Sequence, residues 1–248
     1  MDDGGSDEAP HGGGPLVLSW EDMVDAARQG RGVLRYARPA RRALRGIRLP
    51  VVRPLFGSIY AVTQMSGIAW HYTAKVLYRE PMFRYRCSAV GRRLNLEGAP
   101  PLFGGNGRIV VGDDVHIGSP CTWIVDSGAE LLIGNRVSLN YRGIISVAKS
   151  VRIGDDTLVA GEVAIFDNTN HPVSPSRRLR NSPLAENEVA PVVIGRNVWI
   201  GMCSLIMRGV TIGDNSVVAA GSVVTKPVPA NTLVAGNPAV AIRQLSDD

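Results

Sequence analysis

Aliphatic residues recur every six positions toward the end of the chain, at Ile194, Ile200, Ile206, Ile212, Val218 and Val224, without a gap. Shorter runs with the same step precede them, at Val111 and Ile117, at Ile133, Leu139 and Ile145, and at Ile153, Val159 and Ile165. The next residue is often glycine, as at Gly112, Gly118, Gly134, Gly154, Gly195, Gly201 and Gly213. Six is not a helical period, and a flat half-buried strand alternates every two residues. A six-residue step predicts short strands joined by sharp corners, each repeat sending one aliphatic side chain inward. Such coils stack and bury a continuous aliphatic column, each touching only its neighbours. The step lapses between Ile165 and Ile194, which predicts a loop leaving the scaffold there.

Upstream the pattern differs. Residues 1–15 are acidic and glycine-rich, with almost nothing to bury, and read as a disordered tail. From Leu16 the spacing becomes helical, with Ser19 placed as an N-cap before Trp20, Glu21 and Asp22. Residues 16–84 form a basic helical segment in which Pro39, Pro50 and Pro54 break or kink the helix, and 55–80 are mildly apolar. Residues 85–245 hold the repeats, with a loop insertion at 171–193. The expected fold is therefore mainly β with an N-terminal helical segment.

Charge sharpens this division. The chain has 248 residues and a net charge of +5, yet between Ala26 and Arg79 there are eleven Lys or Arg and no acid. The rest carries 16 basic and 22 acidic residues, a balance of −6. Such asymmetry marks a partner-facing segment. Aromatics make up only 6% while glycine and proline are plentiful, which argues against a long-helix or coiled-coil protein. Three cysteines, Cys87, Cys121 and Cys203, cannot form a disulfide framework, and no CxxC zinc pattern exists. Without an apolar leader at the N-terminus, the expected location is cytoplasmic.

The repeats resemble the hexapeptide-repeat acyltransferases, above all in VVIGRNVWIGMCSLIMRGVTIGDNSVVAAGSVVTKPVPANTLVAGNPAVAIR, residues 192–243. The likeness is to the maltose, galactoside and exopolysaccharide O-acetyltransferases. It implies a left-handed parallel β-helix with three strands per coil, a homotrimer with active sites between subunits, and acetyl-CoA as co-substrate. The scaffold is shared with a carbonic anhydrase family that needs an HxxxxH pair. This chain has no such pair, and no metal is expected.

Acyl transfer to a hydroxyl needs a base, because an alcohol is a poor nucleophile at neutral pH, and donors for the developing oxyanion. Histidine suits the base. Of His11, His71, His116 and His171, the last stands out: it sits in FDNTNHP, where the repeats give way to the loop. The family carries its catalytic base in a matching His-Pro, which implies the same role for His171. Asp167, Asn168 and Asn170 can orient its ring, bind acceptor hydroxyls or simply shape a turn. The resemblance implies acceptor binding at Asn140, whereas the acid eight residues later in the sugar acetyltransferases is here Ala148. It implies a coenzyme A groove at Trp199, Gly201, Met202, Ala220, Thr225, Lys226 and Arg243. Met202 replaces a usual serine, and Lys226 and Arg243 are natural partners for phosphates. Arg177, Arg178 and Arg180 read as a solvated loop face or as contacts to an anion or a neighbouring subunit.

The leading expectation is an acetyl-CoA-dependent O-acyltransferase acting on a saccharide, glycolipid or related hydroxyl by direct attack on the thioester. An N-acyltransferase on an amino sugar and a non-catalytic β-helix scaffold are the alternatives. Residues 26–79, with Tyr36, Phe56, Tyr60, Trp70 and Tyr72 among the arginines, either dock on the inner face of an anionic membrane or cap the coils. The arginines come with no nucleic-acid-binding motif.

Overall fold

The computed structural model describes residues 52–246, with side chains from Ser58 onward. The tail at 1–15 and the basic stretch up to residue 51 lie outside the described residues. The chain divides into two units, with the boundary along the sequence between Thr63 and Gln64. Of the first, only the start of helix α1 (Val52–Ala74) is described.

In the second unit, α1 continues through a π-helical turn, Lys75–Arg79, into the short helix α2 (Glu80–Arg86). Eighteen strands then wind into six coils of three: β1–β3 between Ala89 and Gly104, β4–β6 between Arg108 and Val125, β7–β9 between Glu130 and Val147, β10–β12 between Ser150 and Phe166, β13–β15 between Val192 and Ile206, and β16–β18 between Thr211 and Val224. Like strands of successive coils pair in parallel and make three faces. Face A is β1-β4-β7-β10-β13-β16, face B begins β2-β5-β8-β11-β14-β17, and face C is β3-β6-β9-β12-β15-β18. The result is a three-sided parallel β-helix.

The repeat explains the core. On face B, Ile117 pairs with Leu139, Leu139 with Val159, Val159 with Ile200 and Ile200 with Val218, and all five are buried. Faces A and C stack Ile133, Ile153, Ile194 and Ile212, and Ile145, Ile165, Ile206 and Val224, in the same way. β-branched side chains suit these one-sided pleated positions. From Ile200 to Val218 a coil advances 18 residues, three steps of six, but from Ile117 to Leu139 it advances 22. The earlier coils are longer because β4, β6, β7, β9 and β10 each have four residues.

The corners obey local chemistry. Between faces A and B, Asp114, Arg136, Asp156, Asn197, Asn215 and Asn231 all take a positive φ of 52–61°. Asp and Asn tolerate this region best. Arg136 is held there by Asp156, Nε to Oδ1 at 2.5 Å, and the asparagines hydrogen-bond in a ladder, Asn197 to Asn215 at 3.0 Å and Asn215 to Asn231 at 2.9 Å.

Both ends are closed. Phe83 of α2 is fully buried and packs edge-on against Trp123, ring centroids 5.8 Å apart, with Phe103 completing the cluster. Aromatic contacts of this geometry add stability beyond area burial. At the other end β19 (Thr232–Gly236) joins face B, and β20 (Ala239–Gln244) runs antiparallel along it, ending the parallel ladder.

Candidate active site

After Phe166 the chain leaves face C and does not rejoin face A until Val192. The residues at its exit are held tightly. Asp167 is fully buried, and its carboxylate accepts the backbone N–H groups of Ala148, Lys149 and Ser150, each at 2.7 Å. Asn168, also buried, donates to the Ser146 carbonyl at 3.2 Å and to Asp167, and its own oxygen accepts the Asn170 N–H at 2.7 Å. These bonds bind the exit to the preceding coil. Asp167 has no exposed surface in this chain, and its carboxylate shapes the turn. Asn170 is exposed at φ 57°, and Ser146 Oγ donates to its side-chain oxygen at 3.1 Å.

His171 follows, exposed, and its ring makes no hydrogen bond to the described residues. Its backbone is fixed by Thr169, whose hydroxyl donates to the His171 carbonyl at 2.9 Å. An exposed ring without a hydrogen-bond partner among the described residues, carried on a braced backbone, stands open to a ligand. Beyond it a short helix, α3 (Pro175–Leu179), and the return are organised by Glu188. This buried carboxylate accepts the N–H of Val173 and of Ala185, both at 2.6 Å, and pairs with Arg177 at 3.3 Å. The two backbone N–H groups, then Arg177, hold Glu188 below the usual carboxylate range. Arg178 donates to the carbonyls of Pro172 and Val173. Arg177 and Arg178 therefore shape the loop from within, and no feature of the sequence singled out Glu188.

Asn140 sits at the corner between faces B and C, its amide donating to the Val159 carbonyl at 3.1 Å. His171 lies past the other end of face C, so one chain does not bring the two together. The same corner, followed along the coils, does gather others. Asn140 N–H donates to Val159, Ala160 N–H to Ile200, and Gly201 N–H to Val218, one coil per step. Gly201, Met202 and Ala220 thus lie on one edge with Asn140, and Trp199 stands beside them on the outer surface of face B, about half exposed. A Cβ on Gly201 would come within 2.5 Å of the Ala220 backbone nitrogen, so stacking alone requires this glycine. Thr225 and Lys226 lie exposed at the far end of face C, after β18, and Arg243 is exposed on β20, opposite Leu233.

No thiol is primed for attack. Burial pushes Cys87 up to about 12 and also raises Cys121. Cys203 is exposed, but its hydrogen bond to Glu162 at 3.3 Å raises it as well. Of the other histidines, His11 lies outside the described residues, His71 contacts Arg79 at 3.3 Å and His116 contacts Asn95 at 2.9 Å. Among the described residues no cluster of His, Cys, Asp or Glu has the makings of a metal site.

A parallel three-sided coil with a hexapeptide core and a His-bearing loop defines a class, and comparison with known proteins agrees with it. The family described as bacterial transferase hexapeptide (six repeats) matches residues 191–226. The chain belongs to this hexapeptide-repeat family. It is 42% identical over 120 residues to a galactoside O-acetyltransferase of Escherichia coli (strain K12), covering 48% of this chain and 57% of the relative. To the galactoside O-acetyltransferase of Lactococcus lactis it is 32% identical over 120 residues, 48% of this chain and 56% of that one. The chain thus spans a little over half the length of these relatives. Its fold is similar to that of AntD, an N-acyltransferase from Bacillus cereus solved with dTDP-4-amino-4,6-dideoxyglucose and coenzyme A. The TM-score is 0.57 at 18% identity, over 68% of this chain and 89% of that one.

Proposed function

We propose that the protein is an acetyl-CoA-dependent O-acyltransferase whose acceptor is a saccharide, glycolipid or related hydroxyl. The observation that carries this reading is the exposed, unpartnered ring of His171 on a loop braced by Asp167 and Asn168. Relatives named as O-acetyltransferases support it.

In the proposed reaction His171 takes the acceptor hydroxyl proton as the oxygen attacks the thioester carbonyl. The tetrahedral intermediate collapses, the carbon–sulfur bond breaks, and the imidazolium returns the proton to the departing thiolate. In this reading the protein is a homotrimer and the site is shared, His171 of one copy meeting the Asn140 edge of its neighbour; the separation of the two residues within one chain supports a shared site. The donor lies along that edge, past Trp199, Gly201, Met202 and Ala220, with Thr225, Lys226 and Arg243 taking its polar and phosphate groups. Direct attack, without an acyl-enzyme, accords with the raised thiols. The stretch 26–79 seats the enzyme on an anionic membrane surface. In its described part the large apolar side chains Met65, Trp70, Val76 and Leu77 are all more than 60% exposed, although among the described residues no helix is long and apolar enough to cross a membrane.

The test is release of free CoA thiol from acetyl-CoA with a set of saccharides bearing hydroxyl or amino groups. Transfer to a hydroxyl is expected, and His171→Ala should reduce it by about 10²–10⁴-fold. Transfer only to amines identifies an N-acyltransferase, and transfer that survives His171→Ala removes the base from this account.

A further inference from the structure

Face A carries a feature that the acyl-transfer reading does not use. A groove of about 930 Å³ is lined by Arg108, Glu130, Lys149, Ser150 and Arg152, with Pro191 beside them. Its size falls at the upper end of small-molecule sites, roughly 300–1,000 Å³, and suits a chain of sugars better than a lone anion. Parallel register builds it: Glu130 of β7 stands opposite Arg108 of β4 on one side and Ser150 of β10 on the other.

The charges do not cancel. Glu130 is shared between Arg152 at 2.9 Å and Arg108 at 3.4 Å, and the hydrogen bond from Arg152 keeps it ionised below the usual carboxylate range. Lys149, exposed, has no acidic partner among the described residues. Three cations against one acid leave the groove at +2. Guanidinium and ammonium groups in such a row recognise carboxylates by charge-assisted hydrogen bonds. The groove is also tied to the candidate site. Asp167, which accepts the Lys149 and Ser150 N–H groups, opens the loop that bears His171, and Pro191 is where that loop returns.

We infer that this groove binds the carboxylates of an acidic saccharide, presenting the acceptor as a chain of uronate-type sugars. That it is the acceptor rests on the acyl-transfer reading; that the groove binds acidic saccharide does not. Lys149 and Arg152 hold the negative groups, and a neutral sugar of the same length lacks that attraction.

The test is calorimetric titration of the full chain with trigalacturonate, with maltotriose and with inorganic phosphate. Trigalacturonate should bind at least about tenfold more tightly than maltotriose, weakening as salt screens the exposed cations. Lys149→Ala should remove about tenfold of that affinity while leaving the melting temperature and maltotriose binding unchanged. Arg152→Ala should act in the same direction. Equal affinity for the two trisaccharides, phosphate binding as tight as trigalacturonate, or acidic binding untouched by both variants overturns the inference. Acetyl-CoA binding separates the two claims. If it stands while acidic binding is absent, only the groove falls. If acidic binding stands without it, the acyl-transfer reading falls and the groove remains a saccharide site.

Discussion

The side-chain carboxylate of Asp167 accepts the backbone N–H of Lys149 at 2.7 Å, joining two successive coils at the point where the His171 loop departs. Ala148 and Ser150 donate to the same carboxylate, so one buried charge fixes a whole corner. Asp167→Ala should cost about 3 kcal/mol, because hydrogen bonds to a charged group are worth more than neutral ones and three buried donors lose their partner. Chemical denaturation measures the cost. Amide exchange at 148–150 should accelerate more than at the core positions of β7. A variant as stable as wild type would show that the corner holds itself.

Glu188 sets a pH dependence for the loop. Its carboxyl is depressed by the N–H groups of Ala185 and Val173 and then by Arg177, so the ionised form is favoured in the folded loop. A depressed acid stabilises above its ordinary value and loses that contribution as pH falls through the folded one. The amide resonances of Val173 and Ala185 should stay flat from neutral pH down to the ordinary carboxylate range and move together only below it. In Glu188→Gln this transition should vanish. Movement of both amides at or above the ordinary glutamate value would contradict the assignment.

Cys203 should be a sluggish nucleophile despite its exposure, because Glu162 beside it raises the thiol and lowers the thiolate fraction. Iodoacetamide at mildly alkaline pH should alkylate it more slowly than free cysteine, and Glu162→Gln should speed the reaction. If the two proteins react alike, the Glu162 contact does not control the thiol.

The fold was legible where the physics is periodic. Ile194, Ile200, Ile206 and Ile212 each occupy the buried, one-sided position that the six-residue step implies. The earlier coils were harder to follow, since Ile117 to Leu139 spans 22 residues and blurs the step. The site was legible in part. The prominence of His171 came from its place at the end of a run of repeats and from the resemblance to the family's His-Pro, and the structure puts it on the exiting loop. The groove was invisible, because Arg108, Glu130 and Arg152 become neighbours only once coil lengths are known. Glu188 was equally silent: a single acid in a polar loop gives no sign that it is buried against Val173 and Ala185.

The central claim is that this coil binds acetyl-CoA, and thermal unfolding tests it most directly. Acetyl-CoA at a hundred times its dissociation constant should stabilise the native protein by about 2.7 kcal/mol. The Lys226→Ala, Arg243→Ala double variant should lose most of that shift while melting at the wild-type temperature without ligand. An unchanged melting temperature at millimolar acetyl-CoA would contradict the account and favour a non-catalytic scaffold.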